Sequence, residues 1–234
     1  MRGIGTVVNV GTVVAGTSIG VVLGTKLPDR LRVAVLEAIG LLTLVIGARE
    51  ALATRNVIFP LVALILGAAI GEAARIEDRM EALGERVRRR FERRSPEDDS
   101  RFVEGFVAAS LVFCVGPLTI LGSIQDGLGG PDHAQLLLVK SALDGIVSVA
   151  FASTLGWGVG CSALTVATVQ GALTLLAGGA DRVLTARMVT EMSATGGLMV
   201  IGIGLRLLDL KKVRVASFLP ALVIAPVAVG IFAR

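Results

Sequence analysis

The chain has 234 residues, of which 53% are hydrophobic and only 18% are charged, and its mean hydropathy is +0.78. A soluble domain would carry about 25% charged residues spread along its length, whereas nine arginines here fall between residues 75 and 101. Several apolar windows reach the roughly 20 residues that cross a bilayer as a helix. Composition therefore excludes an ordinary soluble domain and predicts an all-α polytopic membrane helix bundle.

Eight apolar segments qualify as transmembrane helices, taken in chain order. The first is too long for a cleaved signal peptide and lacks a small-residue cleavage site. The fourth contains Pro117, which is expected to kink it. The predicted spans are residues 3–24, 32–50, 57–74, 101–123, 135–157, 160–178, 188–208 and 214–232.

The segment 75–100, between the third and fourth spans, is too highly charged to enter lipid. Apolar residues at helical spacing predict an amphipathic basic helix over residues 75–94 at the membrane surface. This helix is either a solvated positive-inside anchor or a regulatory or anionic-lipid site. If this helix lies in the cytoplasm, both termini lie outside. The basic pI of about 9.7 is then explained by cytoplasmic arginines and does not indicate nucleic-acid binding.

The sequence also contains an internal similarity between residues 27–47 and 179–204. Glu37 matches Glu191 in this alignment, and spans 1–3 as a whole resemble spans 6–8 in opposite orientation. Inverted repeats of this kind are typical of secondary transporters, whose sites lie where the repeats meet. A second similarity, between 15–24 and 151–160, pairs span 1 with span 5 in the same orientation. The sequence does not decide between the two, and a third alternative is that both reflect only the small residues needed for close helix contact.

The chain is predicted to be a single transmembrane domain. It divides into a first repeat over 1–74, the basic loop over 75–100, spans 4 and 5 over 101–159, and a second repeat over 160–234.

The predicted fifth span holds Lys140 and Asp144, one helical turn apart. Asp144 lies about 12 Å into this helix, where an ionisable residue costs about 2.5–3.5 kcal/mol and needs a partner or water. Lys140 is expected to pair with Asp144 and, being shallower, to snorkel outward. Asp144 is thus either half of a satisfied buried ion pair or a cation or proton site.

Hydroxyl groups and glycines follow Asp144 on the same predicted helix. Ser148, Ser153 and Thr154 would supply hard oxygen ligands, which suit Na⁺, H⁺ or a hydrogen-bonding substrate and not a soft metal. Asn9 and Gln170 are polar positions in the middle of spans 1 and 6. Each of these two side chains either forms hydrogen bonds between helices or takes part in the binding site.

Glu37 and Glu191 each lie near the start of a predicted span, where the helix dipole favours a carboxylate. Glu191 gains a further interpretation from its neighbours, since Ser193 and Thr195 follow it. The pair Gly196-Gly197 comes next and is expected to break the helix, as in transporters whose broken helices present backbone groups to ions.

The remaining polar and reactive residues carry no enzyme motif. Cys114 and Cys161 lie in apolar segments without metal-ligand spacing and are expected to be small buried hydrophobes. His133 is expected to be an ordinary loop residue. No phosphate-binding loop, zinc-protease motif or serine-hydrolase motif is present, so neither an enzyme nor a cofactor is predicted.

Several segments together resemble the YqgA/YdfK-type family of prokaryotic inner-membrane proteins. The resemblance covers nearly the whole chain except the arginine-rich loop. It implies an inner-membrane location and a pattern of spans, but no reaction and no catalytic residues. The segments are GTVVNVGTVVAGTSIG, EGFVAASLVFCVGPLTILGSIQDGL, KSALDGIVSVAFASTLGWGV, TEMSATGGLMVIGIGLRLL and KKVRVASFLPALVIAPV.

The sequence therefore predicts a secondary transporter or ion-coupled carrier of a small solute or cation in a prokaryotic plasma membrane. The expected partners are the bilayer, a coupling Na⁺ or H⁺ and the solute, and a homo-oligomer is an open alternative. The rival functions are a non-transporting scaffold or lipid-binding protein, which would use the 75–94 helix, and an ion channel. The candidate binding residues are Asp144, Glu191, Ser148, Ser153, Thr154, Ser193, Thr195, Asn9 and Glu37.

Overall fold

The computed structural model describes residues 2–80, 82, 96–129 and 133–232. Across these ranges the chain is helical and forms no strand, which confirms the predicted all-α class. The elements are α1 (Ile4–Gly24), α2 (Asp29–Ala51), α3 (Ile58–Ala73), α4 (Pro96–Cys114), α5 (Pro117–Leu128), α6 (Gln135–Leu155), α7 (Gly158–Leu175), α8 (Ala177–Val183), α9 (Ala186–Leu207), a 3₁₀ turn (Val215–Phe218) and α10 (Ala221–Phe232).

Five helical segments in the described ranges are long and apolar enough to cross a bilayer. They are α1, α6, α7, α9 and the unit Val215–Phe232, which joins the 3₁₀ turn to α10. A sixth results if α4 and α5 form one bent span, and α3 is apolar but has only 16 residues. Large apolar side chains also cover the outer faces of the helices. The chain is therefore a polytopic membrane helix bundle.

The fourth predicted span is broken at its proline, as expected. α4 ends at Cys114, α5 begins at Pro117, and the two axes differ by 62°. Gly116 has φ +128°, which glycine adopts at little steric cost. Because proline has no N–H, the carbonyl of Phe113 loses its helical donor, and the Thr119 hydroxyl donates to it instead at 2.9 Å. The Thr119 hydroxyl thus replaces the hydrogen bond that the proline removes at the break.

The pair Gly196-Gly197 does not break its helix. α9 runs without interruption from Ala186 to Leu207, so this prediction was wrong. The glycines instead allow close contact: a Cβ on Gly197 would lie 2.5 Å from the Ala51 nitrogen and 2.7 Å from the Gly47 carbonyl oxygen. Small residues permit this backbone approach between membrane helices.

The contact of α2 with α9 and that of α3 with the last span are both antiparallel. On α2 and α9, Gly40 lies beside Leu208 and Gly47 beside Ile201, so the residue numbers run in opposite directions. α3 meets the last span in the same manner, with Gly67 beside Ala221 and Gly71 beside Ser217. These are the segments that the first internal similarity matches to each other.

Two other pairs pack parallel. α1 follows α6, since Gly5 lies beside Leu137 and Gly24 beside Ser153. α4 follows α7, since Gly158 lies beside Phe102, and the Ser110 hydroxyl bonds the Thr165 hydroxyl further along. The α1–α6 pair contains the segments that the second similarity matches. The α2–α9, α3–last span and α1–α6 contacts therefore join segments that are related in sequence, whereas α4 and α7 are not matched to each other by either similarity.

Ion pairs gather the ends of several helices at one side of the bundle. Arg214 bonds Glu72 at 2.7 Å and Asp78 at 2.9 Å, and Arg206 lies 3.4 Å from Glu77 and 3.5 Å from Glu104. The basic residues after α9 thus lie on the side where the 75–100 loop begins. In the predicted 75–94 helix, residues 76–80 are helical, and residues 81 and 83–94 lie outside the described residues.

Candidate functional site

Asp144 lies in the middle of α6. It is separated from Gln135 by roughly 14 Å and from Leu155 by roughly 16 Å at 1.5 Å per helical residue. Only 6% of the residue is exposed. A carboxylate at this depth is far from water at both ends of the helix, so its partners determine what it can do.

Two side chains bond the same oxygen of Asp144. The Lys140 ammonium donates to Oδ2 from one turn earlier, and the Asn9 amide donates to Oδ2 from α1 at 2.9 Å. The predicted pairing of Lys140 with Asp144 is confirmed. The predicted outward snorkelling of Lys140 is wrong: the side chain is buried, and its ammonium lies 5.9 Å from the ring centroid of Phe113. The ion pair with Asp144 and the aromatic face of Phe113 compensate the Lys140 ammonium for its loss of hydration inside the bundle.

A glycine stripe brings α1 onto α6 and so places Asn9 at the carboxylate. Gly16, Gly20 and Gly24 recur every four residues and therefore share one helix face. A Cβ on Gly16 would lie 2.3 Å from the Gly145 carbonyl oxygen, and one on Gly20 would lie 2.4 Å from that of Val149. Only residues without a side chain allow backbones to lie this close.

Several buried polar atoms on α1, α6 and α7 have no hydrogen-bond partner within the described protein. Buried polar groups are almost always paired, so a cluster of unpaired ones indicates a site for water, an ion or a ligand. Ser148 lies one turn beyond Asp144, and Thr17 and Asn9 lie on the neighbouring α1. The atoms are Asn9 Oδ1, Thr17 Oγ1, Ser148 Oγ and both polar atoms of the Gln170 amide.

Helix register places Gln170 at the depth of Asn9. α1 and α7 run antiparallel, with Thr17 beside Gly160 at one level and the Thr6 hydroxyl bonded to the Thr174 hydroxyl at another. Counting between these contacts brings Asn9 level with Gln170. Three helices, α1, α6 and α7, therefore carry buried polar side chains, and those of Asn9 and Gln170 lie at a similar depth.

The break between α4 and α5 lies next to this cluster. Phe113, the last residue but one of α4, stacks on Phe151 of α6 with ring centroids 6.4 Å apart, and it faces the Lys140 ammonium. The sequence did not single out Phe113 or Thr17. Their involvement arises from contacts between distant segments and leaves no local signature.

Glu191 is fully buried but belongs to a different contact. Its carboxylate accepts from the Thr54 hydroxyl at 2.5 Å and from the Arg55 N–H at 2.8 Å, both in the turn between α2 and α3. The Thr195 hydroxyl donates to the Glu191 carbonyl, and Ser193 is buried without a partner in the described protein. Glu191 therefore anchors a turn to α9 and is not brought to Asp144.

Three other predicted binding residues also lie apart from the ion pair. Ser153 and Thr154 donate to the carbonyls of Ala150 and Phe151 in their own helix, near the end of α6. Glu37 is exposed on α2. Of the predicted set, the structure brings together Asp144, Asn9 and Ser148.

Asp126, near the end of α5, forms a second buried carboxylate contact. Its Oδ2 accepts from the N–H groups of Gly5 at 3.0 Å and Thr6 at 3.4 Å, at the start of α1. A carboxylate there is stabilised by the free N–H groups and the helix dipole. His133 Nε2 lies 3.8 Å from Asp126 Oδ1, so this histidine is part of the contact.

Replacing Glu191 by glutamine tests its anchoring role. Loss of charge-assisted hydrogen bonds is expected to lower the free energy of unfolding by about 1.5–3 kcal/mol and to expose the 52–57 turn to limited proteolysis. Thr54→Val, which removes one donor from the same contact, is the matched control and should also loosen the turn. Wild-type stability and wild-type proteolysis of the turn in Glu191→Gln would contradict the anchoring role.

The chain matches the family described as protein of unknown function (DUF554) over residues 4–230. It is 29% identical over 229 residues to the uncharacterized membrane protein YdfK of Bacillus subtilis (strain 168), covering 96% of this chain and 95% of that protein. It is 31% identical over 224 residues to the uncharacterized protein YqgA of Escherichia coli (strain K12), covering 95% and 94%. No solved structure matches the chain. These matches confirm the resemblance that its motifs indicated, and this helical membrane protein belongs to the DUF554 family.

Proposed function

We propose that the chain is a secondary transporter or ion-coupled carrier of a small solute or cation, with Asp144 as the coupling residue. The observation that carries this proposal is the Lys140–Asp144 ion pair, buried in the middle of a membrane helix and bordered by unpaired polar atoms. A charge at this depth is costly, and ionisable residues inside membranes commonly mark ion or proton pathways. Glu191 has its own partners and is assigned to the fold.

Lys140 gives the proposed site an exchange mechanism. Its ammonium occupies Asp144 Oδ2 in this structure, so an external cation must compete with a tethered one for the same carboxylate. When Na⁺ or H⁺ binds Asp144, Lys140 is released and its contact with Phe113 changes. Cation binding is thereby linked to the helices that hold these side chains.

The oxygens next to Asp144 suit a hard cation. Asn9 presents Oδ1 while its amide nitrogen holds the carboxylate, and the Ser148 hydroxyl lies one turn further along α6. Carboxylate, amide and hydroxyl oxygens are ligands for hard cations and not for soft metals. This composition supports Na⁺ or H⁺ as the coupling ion.

The packing directions support an inverted repeat within an eight-span protein. A two-fold axis in the membrane plane that exchanges spans 1–3 with spans 6–8 maps the antiparallel α2–α9 pair onto itself. It also exchanges span 4 with span 5, and so maps the parallel α1–α6 pair onto the parallel α7–α4 pair. Rocking of one repeat against the other would then alternate access to Asp144, next to the broken helix.

The ion pairs at the loop side support the proposed orientation in a prokaryotic plasma membrane. Arg206 and Arg214 lie with residues 72–78, where the arginine-rich loop begins. The positive-inside rule places this side in the cytoplasm and both termini outside.

Asp144→Asn tests the proposal in proteoliposomes. With a pH-sensitive dye inside the vesicles and an imposed Na⁺ or H⁺ gradient, the wild-type protein should carry flux. Flux in Asp144→Asn should fall to that of protein-free vesicles, because the carboxylate that binds the cation is absent. Size-exclusion chromatography establishes that the variant is folded.

Two further variants keep this test decisive. Lys140→Met/Asp144→Asn removes both charges, so it should fold without a lone buried ammonium and still lack flux. Glu37→Gln changes an exposed carboxylate and should retain full flux. Flux at the wild-type level in folded Asp144→Asn would contradict the proposal and favour the scaffold or lipid-binding function. The arginines expected to carry that function lie outside the described residues; they are Arg88, Arg89, Arg90, Arg93 and Arg94. Unitary current steps in a bilayer recording would instead identify a channel.

A further inference from the structure

A cavity of about 480 Å³ lies beside the break between α4 and α5. Its walls come from α4, α7, α9 and the last span, and its volume falls within the roughly 300–1,000 Å³ typical of small-molecule sites. Cys114 lines the cavity, whereas the preceding Phe113 faces Lys140. The cavity and the ion pair therefore flank the same point of α4.

The lining is apolar and carries no charge among the described residues. Its polar members are three hydroxyl groups. Ser110 and Thr165 bond each other at 3.0 Å, but Ser193, of which only 2% is exposed, has no partner in the described protein. An unpaired hydroxyl in an apolar wall provides one orienting contact for a ligand.

Two lining residues on neighbouring parts of the wall, one on α7 and one on α10, are exposed to the outside of the bundle. They are Ala172 and Val223, of which Val223 is exposed to 67%. Leu175 and Val227, about one turn further along the same two helices, are exposed apolar residues as well. In a membrane, an opening between these two helices would face hydrocarbon and not water.

We propose that this cavity binds an uncharged single-chain lipid that carries one hydroxyl or carbonyl group. The hydrocarbon chain would fill the apolar walls, and the polar group would bond Ser193. A charged ligand is disfavoured because no described lining residue would compensate for its desolvation. The site is distinct from Asp144, and it does not depend on the proposed ion coupling.

Photo-crosslinking tests this site in phosphatidylcholine vesicles containing the purified protein and a long-chain alcohol with a diazirine in its chain. Labels mapped by mass spectrometry should fall on the cavity walls, at residues such as Cys114, Val169 and Leu222. Ser193→Ala should lower this labelling roughly two- to tenfold, the effect of losing one hydrogen bond. Val169→Trp, which fills the cavity, should abolish it, and Leu164→Trp on the exposed face should leave it unchanged.

Two results would overturn the inference. One is labelling confined to the outer surface and unaffected by Ser193→Ala and Val169→Trp. The other is labelling of the cavity by a diazirine-bearing phosphatidylcholine but not by the alcohol, which would assign the cavity to bulk membrane lipid. Ion flux through Asp144 is measured separately, so failure here leaves the transport proposal intact.

Discussion

Replacing Lys140 by methionine is expected to lower the free energy of unfolding by about 3–5 kcal/mol. This is the cost of removing one member of a buried ion pair and leaving the other charge uncompensated. Lys140 and Asp144 are 5% and 6% exposed, so water cannot take over the lost contact. The Asn9 amide would remain the main donor to the carboxylate. Denaturant titration of the protein in mixed micelles measures the change.

The double variant Lys140→Met/Asp144→Asn supplies the control. Without a buried charge it should recover most of the lost stability, and the double-mutant cycle should yield a coupling free energy of about 0.5–3 kcal/mol or more. Lys26→Met, at an exposed turn after α1, should change stability by less than about 0.5 kcal/mol. Equal stability of the single and double variants would show that the two charges do not interact.

The same single variant reports on cation exchange. Without the tethered ammonium, Asp144 has no internal competitor, so replacing choline chloride by sodium chloride should raise the melting temperature of Lys140→Met more than that of the wild type. The shift should disappear in the double variant. A sodium shift that is equal in all three proteins would argue against competition at Asp144.

The features that sequence could predict are those fixed by local rules. Lys140 and Asp144 are four residues apart and therefore meet on one helix face. Pro117 cannot donate to the carbonyl four residues earlier, so span 4 breaks there. Apolar runs of sufficient length likewise indicated where the membrane helices lie.

The features that sequence could not predict depend on contacts between distant segments. Asn9 meets Asp144 across 135 positions, and a glycine stripe on α1 sets that contact. Gly196-Gly197 illustrates the ambiguity, since paired glycines suit both a helix break and close packing. In the structure Gly197 lies against α2, so the glycine pair allows close packing and the helix continues. Glu37 and Glu191 align with each other, yet one is exposed and the other is fully buried.

Replacing Gly71 by alanine should be as damaging as the loss of Lys140, although it adds a single methyl group. A Cβ on Gly71 would lie 1.9 Å from the Ser217 carbonyl oxygen and 2.9 Å from its Cα. These are backbone atoms, which cannot yield by a rotamer change, so α3 must separate from the last span. We expect a loss of about 3 kcal/mol, at the upper end of the range for overpacking.

Gly171→Ala is the matched control, because a Cβ on Gly171, four residues before the end of α7, meets nothing within 4 Å. It should stabilise the protein by about 0.5–1 kcal/mol through its higher helix propensity. The comparison isolates the close approach of α3 to the last span, one of the two antiparallel contacts on which the proposed repeat rests. If Gly71→Ala and Gly171→Ala had the same stability, these helices would not be in contact at Gly71, and that support for the repeat would be lost.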